Sequence, residues 1–419
     1  MASYKEAWEK ILASVRVMDP EEKLVPQSTG QVLAEDVYAE YNLPRSDSSG
    51  PDGYAVRAAD IQAASHDRPV TLHIIETVRA GHLPQKPVQP GTAVRIMTGA
   101  VIPPGADCVV RFEDTDEPPD KNGPNNNNPE NVKIYVSVPP GGNVNKAGSN
   151  TAQGSLVLPK GTTIGPAQIS VLTAIGRTAV KVIRRPAVAI LSTGDELVSA
   201  GDSLPPGKVY DSNGPAIAAL VEHYGGEARL LGIARDEEAS LQSKLQEGLE
   251  ADAIILSGGV SRGDYDLVRL TIAKLGELKF ARVNIAPGAS VSFGTMAKTS
   301  GMNESVDVPV FALAGPPAGC LINFETLVRP ALLKMLGHTA LEHPFVNAAS
   351  QEAVTAKKVT FARWTMLRET DGQCHVTISN VSMARANSLT LIPEGYEIQP
   401  GSMIPVLPLD WCRYNQSSA

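Results

Sequence analysis

Cysteine, histidine, positive charge and long apolar runs are all scarce in this chain of 419 residues. Its four cysteines, Cys108, Cys320, Cys374 and Cys412, lie far apart with no Cys-x-x-Cys pair, which argues against a disulfide framework and a structural zinc site. The seven histidines are scattered, with no two at helical ligand spacing, so a His-based zinc centre or a Ser-His-Asp hydrolase has little support. A net charge of -8 argues against bulk binding to nucleic acid, which needs a basic surface. No run approaches the roughly 20 apolar residues of a membrane helix, and the opening MASYKEAWEK is charged, without an apolar signal region. These absences predict a soluble cytoplasmic protein with no nucleic-acid or membrane partner, in which any anionic ligand is held by local groups. At this length one hydrophobic core is not enough, and two to four domains are expected.

What is present concentrates at strand ends. Ala253 to Leu256 is too continuously apolar for a one-sided strand and suits a strand buried between helix layers. It stops in Ser257, Gly258 and Gly259, where backbone N–H groups are free to meet an anion, and carboxylates at Asp264 and Asp266 follow before the next helix. Ala187 to Leu191 repeats the design, closed by Pro186 in front and by Ser192, Thr193, Gly194, Asp195 and Glu196 behind. Crevices at the carboxyl ends of strands are where open α/β sheets bind ligands. Between the two runs, Asn213 with Pro215 reads as an N-cap and first-turn signal, and Gly225-Gly226 ends that helix. Ala228 to Ile233 reads as a strand, and Arg235-Asp236-Glu237 opens a helix with Leu241, Leu245 and Leu249 on one face. Strands near 280–285 and 308–313 and a long helix from about 321 to 336 complete a β-α-β-α-β series.

The flanking regions read differently. Tyr4, Trp8, Ile11, Leu12 and Val15 mark an amphipathic helix whose apolar face packs on a neighbouring domain. Apolar runs at 70–78, 93–97 and 108–112, punctuated by Pro, Gly and Asn, are β-rich; Pro118 to Glu130 is a low-complexity surface loop. Runs at 359–366, 375–378, 389–392 and 403–407 predict a small all-β terminal domain. Asp52 sits in an Asp-Gly turn that needs no functional explanation, and Thr98 ends a strand beside Gly99. Without a recognised nucleophile, the acids point to oxygen coordination of a hard cation such as Mg²⁺.

Taken together, PDGYAVR at 51–57, RIMTGA at 95–100, STGDEL at 192–197, YDSN at 210–213, GIARDEE at 232–238, SGGVSRGDYD at 257–266 and SMARAN at 382–387 resemble the MoeA or gephyrin E-domain family of molybdopterin molybdenumtransferases. The resemblance implies a multidomain α/β plus β fold. A MogA-like three-layer α/β domain would span 1–26 and 177–335, an elongated linker domain 27–45 and 147–176, a β-rich lobe 46–146, and a C-terminal β-barrel-like domain 336–419. It implies a homodimer whose cleft is shared between subunits. It also implies a Mg²⁺-dependent reaction in which molybdate is inserted into adenylylated molybdopterin and AMP is released. A MogA-like adenylyltransferase and molybdoenzymes are the implied partners. On the family pattern Glu196, Asp236, Asp266 and Asp52 would be catalytic, with Asp236 and Asp266 at the metal. Thr193, Gly194, Asp195, Ser257, Gly258, Gly259, Ser261, Arg262, Thr98 and Arg363 would bind pterin, phosphate or molybdate.

Three elements depart from that pattern. Ala286-Pro287-Gly288-Ala289 stands where the family has Lys-Pro-Gly-Lys, Ala314-Gly315-Pro316-Pro317-Ala318-Gly319 where it has Pro-Gly-Asn-Pro-Val-Ser, and Gly148-Ser149-Asn150 where it has Gly-Glu-Asp. Charge-assisted hydrogen bonds contribute roughly 1.5–3 kcal/mol each, so two missing lysines weaken anion binding unless another cation compensates. Arg262, where the family usually has an apolar residue, is the candidate by position. The readings are an active transferase with altered anion contacts, a molybdopterin-binding paralogue with reduced metal insertion acting as carrier, or a scaffold.

Overall fold

The computed structural model describes residues 1–116, 130–259, 267–300, 304–356, 359–379 and 381–410, with 299–300, 304–305 and 361 described by backbone alone. The low-complexity expectation between 118 and 130 falls almost wholly outside these residues, as do Ser261, Arg262, Asp264, Asp266 and Cys412. The chain forms two compact units: Glu35–Lys160 with Pro166–Thr178, and Met1–Ala34 with Gly161–Gly165 and Ala179–Ala419.

The smaller unit is built on a five-stranded sheet. Its strands are β1 (Gly53–Val56), β2 (Val70–Val78), β3 (Thr92–Ile96), β4 (Cys108–Arg111) and β5 (Asn131–Ile134), in the order β4-β1-β3-β2-β5. Only the β2–β3 pair is parallel. Side chains alternate across the pleat, so Tyr54, Val56, Cys108 and Val110 enter one apolar cluster while Ala55, Val94 and Val109 enter another. The β-rich reading of this region holds.

The larger unit holds a six-stranded sheet of β6 (Ala187–Thr193), β7 (Glu227–Ala234), β8 (Ala253–Ser257), β9 (Gly276–Phe280), β10 (Ser292–Ser300) and β11 (Glu304–Leu313), in the order β7-β6-β8-β11-β10-β9. Strands β7, β6, β8 and β11 are mutually parallel. Every residue of β6 and β8 is buried, and the period-2 alternation explains the unbroken apolar run. Val188, Ile190, Ala253 and Ile255 face one helix layer, and Ala189, Leu191, Ile254 and Leu256 face the other. The first layer contains α1 (Tyr4–Ser14) and α2 (Asn213–His223), followed later in the chain by α5 (Pro317–Asn323), a π-turn over Phe324–Val328, and α6 (Arg329–Met335). The second contains α3 (Glu238–Gly248) and α4 (Leu267–Leu275). The multidomain α/β plus β expectation, with three layers here, is met.

Helix α1 starts on a capping box between Ser3 and Glu6 and buries Ala7 and Ile11. It is fastened from the far end of the unit, because the Tyr4 hydroxyl donates to the Thr326 carbonyl at 3.2 Å and Lys334 Nζ to the Leu12 carbonyl at 2.7 Å. The apolar face read at Tyr4, Trp8, Ile11, Leu12 and Val15 was expected on a neighbouring domain; Tyr4, Ile11, Leu12 and Val15 instead pack into the core of the helix's own unit.

The parallel series needs one correction. Strand β10 runs antiparallel to both of its neighbours, β11 and β9. Strand β10 went unread because Ser292, Gly294, Thr295 and Lys298 break its apolar pattern, although 291–296 are buried. The strand expected across 280–285 stops at Phe280, and Ile285–Ala286 instead pairs with Thr360 and Phe361 of the terminal domain. There, Thr360–Thr370 pairs with both Gln373–Thr377 and Ser388–Ile392. The remaining neighbours, Val346–Ser350 and Met403–Pro408, close a five-stranded ring with no free edge among its members.

Candidate active site

The parallel strands end level with one another. Ser192 on β6 lies opposite Ser257 on β8, and Ser257 opposite Leu313 on β11. The residues that follow each strand therefore meet along one carboxyl edge, where both sequence-predicted strand-end motifs come together.

The β6 loop is tied to the residues that follow β7. Thr193, 2% exposed, donates its hydroxyl to Asp236 Oδ1 at 3.1 Å. The Asp195 N–H donates to Asp236 Oδ2 at 3.4 Å, and the Asp236 N–H returns to Asp195 Oδ1 at 3.3 Å. The Glu196 carboxylate folds back over Gly194, where a Cβ would lie 2.6 Å from Oε2. Lys208 Nζ donates to the Asp195 carbonyl. Asp195, Glu196 and Asp236 are thus gathered on one loop pair, but no group of three or more His, Cys, Asp or Glu among the described residues converges as a ready-made metal cage.

After β8 the backbone turns through Gly258 and Gly259, at φ +91° and +65°. Both are left-handed conformations that glycine adopts without strain. A Cβ on Gly259 would lie 2.6 Å from Val268 Cγ2 and 2.8 Å from Thr193 Cγ2, so the loop passes through a slot only a hydrogen fills.

Sequence reasoning gave one buried asparagine the wrong role and missed another. Asn213 was expected to cap α2, yet Ser212 holds the N-cap position without a side-chain bond, and Asp211 Oδ1 accepts the Gly214 N–H at 3.0 Å. Freed from capping, Asn213 Nδ2 donates to Ser257 Oγ at 2.6 Å and to the Gly315 carbonyl at 2.8 Å, joining the ends of β8 and β11. Asn323, fully buried in α5, donates to the Gly288 carbonyl at 3.0 Å and accepts from the Ala314 N–H at 3.3 Å. A polar residue inside an apolar helix, Ile322-Asn323-Phe324, was the available signal.

Arg363 reaches the same segment from the terminal domain. Its Nη1 donates to the carbonyls of Ala286 and Ala362, both at 3.1 Å, and burial draws its pKa down from the ordinary guanidinium value. With Pro287, Trp364 and Ser379 it lines a cavity of about 500 Å³. The structure therefore brings Arg363 against Ala286. In the smaller unit, the Thr98 N–H and hydroxyl both donate to Asp52 Oδ1, at 2.7 and 2.8 Å. The Asp52 turn thus has a second feature besides its glycine: its carboxylate is held at the end of β3.

Comparison with known proteins gives this geometry a context. Residues 2–176 match the model of the MoeA N-terminal region (domain I and II), and residues 189–334 match the "Probable molybdopterin binding domain". A molybdopterin molybdenumtransferase of Staphylococcus aureus is 35% identical over 405 residues, covering 93% of this chain and 91% of its own. One from Nostoc is 35% identical over 399 residues, covering 91% of this chain and 87% of its own. The crystal structure of a molybdopterin biosynthesis MoeA protein from Pyrococcus horikoshii superposes with a TM-score of 0.82 at 31% identity, covering 97% of this chain and 99% of that one. On this likeness, which runs through both units and the barrel, the chain belongs to the MoeA family of molybdopterin molybdenumtransferases.

Proposed function

We propose that this chain acts in molybdenum cofactor biosynthesis by inserting molybdate into adenylylated molybdopterin with release of AMP. The observation that carries the reading is the carboxyl edge of β6 and β8. There the Thr193–Asp236 pair stands beside the Ser257-Gly258-Gly259 turn, in a chain 35% identical to enzymes of that name. The N–H groups of Gly194 and Gly258 donate to the Ala234 and Leu313 carbonyls, both at 3.3 Å, so contact with a phosphate-bearing pterin falls first to the hydroxyls of this edge. Thr193, Gly194, Asp195, Ser257, Gly258 and Gly259 are its cradle, and the family pattern adds Ser261 and Arg262. Arg363, half-buried beside Ala286, supplies a fixed cation for the molybdate oxyanion.

Mg²⁺ fits these residues in a limited way. Asp236 already accepts from Thr193 and Asp195, which leaves lone pairs but no dedicated cage. That matches a cation that keeps water and phosphate oxygens and takes one or two carboxylates. Asp236 and Asp266 are the proposed ligands, and Glu196 orients the pterin beside them. Bound there, Mg²⁺ would neutralise charge on the departing AMP phosphate. We further read the molecule as a homodimer of four-domain subunits, with Asp52 and Thr98 of the partner subunit completing the cleft. A MogA-like adenylyltransferase supplies the substrate and molybdoenzymes receive the product.

The test is to mix purified protein with adenylylated molybdopterin, Mg²⁺ and molybdate and follow AMP release together with cofactor formation. Turnover is expected. Tight pterin binding without AMP release would instead favour a carrier, and no binding at all would remove the enzymatic reading. Sedimentation as a monomer at micromolar concentration would refute the shared cleft.

A further inference from the structure

The Asn213 amide does more than link two loops, because its hydrogen-bonding pattern dictates what Ser257 can do. The Gly315 carbonyl only accepts, so the amide group facing it must be the NH₂, which fixes the side chain's orientation. The same NH₂ then donates to Ser257 Oγ at 2.6 Å, and Ser257 is obliged to accept. A second donor approaches the same oxygen, since Cys320 Sγ lies 3.9 Å from Ser257 Oγ. Burial pushes the Cys320 thiol up to about 12, so it carries its proton. A hydroxyl has two acceptor lone pairs and one proton. With both lone pairs addressed by Asn213 and Cys320, the Ser257 proton is the only part left to engage a ligand. All three residues are buried, at 8% exposure for Asn213, 2% for Ser257 and 0% for Cys320, so water does not scramble this order. Two further buried atoms, Asn213 Oδ1 at the start of α2 and Ser192 Oγ near the end of β6, have no partner among the described residues, as expected of a site whose ligand completes the network.

We propose that Asn213 is a positioning residue that commits Ser257 to act as a hydrogen-bond donor, so that the turn after β8 selects an acceptor oxygen on the ligand, such as a phosphate or pterin carbonyl oxygen. The inference rests on the reading of this turn as the pterin cradle.

The test uses the full-length protein with adenylylated molybdopterin as the probe, and compares wild type, Asn213→Asp, Ser257→Ala and the double variant by equilibrium binding from pH 5.5 to pH 8.5. In Asn213→Asp an ionised carboxylate would draw the Ser257 proton to itself and oppose the Gly315 carbonyl, whereas the protonated acid again donates. Asn213→Asp is expected to bind about tenfold more weakly at high pH and to recover much of that loss as pH falls. Ser257→Ala is expected to lose a similar factor, and the double variant no more than either single one. Additive losses, or an Asn213→Asp variant whose affinity follows the wild-type pH profile, would overturn the assignment. If melting shows Asn213→Asp unfolded, Asn213→Ser serves in the same cycle, with the same additivity criterion. Failure of wild type to bind the probe would instead strike the cradle reading itself, and the inference with it.

Discussion

Replacing Gly259 with alanine puts the proposed cradle under a calculable strain. At φ +65° an alanine pays roughly 1–2 kcal/mol for the left-handed conformation alone. Its Cβ would then sit 2.6 Å from Val268 Cγ2 and 2.8 Å from Thr193 Cγ2, where ordinary contact begins at 3.4 Å. The shortfalls are 3.4 − 2.6 = 0.8 Å on one side and 3.4 − 2.8 = 0.6 Å on the other. Neither neighbour can swing into solvent, because Val268 is 0% and Thr193 2% exposed. If Thr193 yields its share, its hydroxyl moves from 3.1 Å to as much as about 3.7 Å from Asp236, beyond hydrogen-bonding reach. Losing a bond to a carboxylate costs about 1.5–3 kcal/mol. We therefore expect Gly259→Ala to destabilise the larger unit by roughly 2.5–5 kcal/mol. A displacement of this size should also lower kcat/KM by one to two orders of magnitude. Thermal melts and steady-state AMP release measure the two effects. Wild-type turnover in a variant with an unchanged melting temperature would show that the slot is not filled as described.

Asp236→Asn keeps an acceptor for the Thr193 hydroxyl but presents NH₂ toward the Asp195 N–H and removes a charge; turnover should fall on the order of 100-fold with a raised Mg²⁺ requirement and little change in melting. Unchanged Mg²⁺ dependence would remove Asp236 from the metal. Asp52→Ala strips Thr98 of its acceptor at an exposed position, so stability should change by less than about 1 kcal/mol while activity drops if this turn enters the cleft; normal activity would contradict that role. At the opposite edge of the sheet, burial would raise the Asp252 carboxyl, but the forked bond from Arg184 at 2.6 and 2.7 Å and the Ala187 N–H outweigh it and hold its pKa below the ordinary carboxylate value. A depressed carboxyl contributes stability that is complete above its unfolded pKa and lost as pH falls through the folded one. Acid unfolding below pH 4 should therefore be steeper in wild type than in Asp252→Asn, which at neutral pH should cost about 1.5–3 kcal/mol. Parallel acid-unfolding curves would refute the pairing.

Much of this arrangement could be read from the chain. Ala187 to Leu191 and Ala253 to Leu256 were legible because a strand covered on both faces leaves no polar position in its pattern. Their glycine and hydroxyl termini were legible for the same reason, since the pattern has to break where the strand meets the crevice. Strand β10 was not, because the pattern that hides it, Ser292 to Lys298, mixes small and polar residues that bury well only against β9 and β11. Asn213 misled because Asn-x-Pro suits a helix start equally well, and its real partners lie 44 and 102 residues away. The Thr193–Asp236 bond spans 43 residues and follows from the β6–β7 register, which no local spacing encodes. The family pattern supplied Asp52 and Arg363, which local chemistry alone would have passed over.

The fastening of α1 carries a consequence for how the chain is made. Its Tyr4 hydroxyl finds its acceptor 322 residues later, at Thr326. At about 5–20 residues per second on a ribosome, that partner emerges roughly 15–65 s after the helix does. Throughout that interval the layer that Ala7, Ile11 and Val15 enter lacks Phe324, Leu327 and Ala331, while Gly53–Val56 and its neighbouring strands are complete well before its end. Helix α1 is thus made long before the helices that cover it, and its apolar face stays open until they arrive.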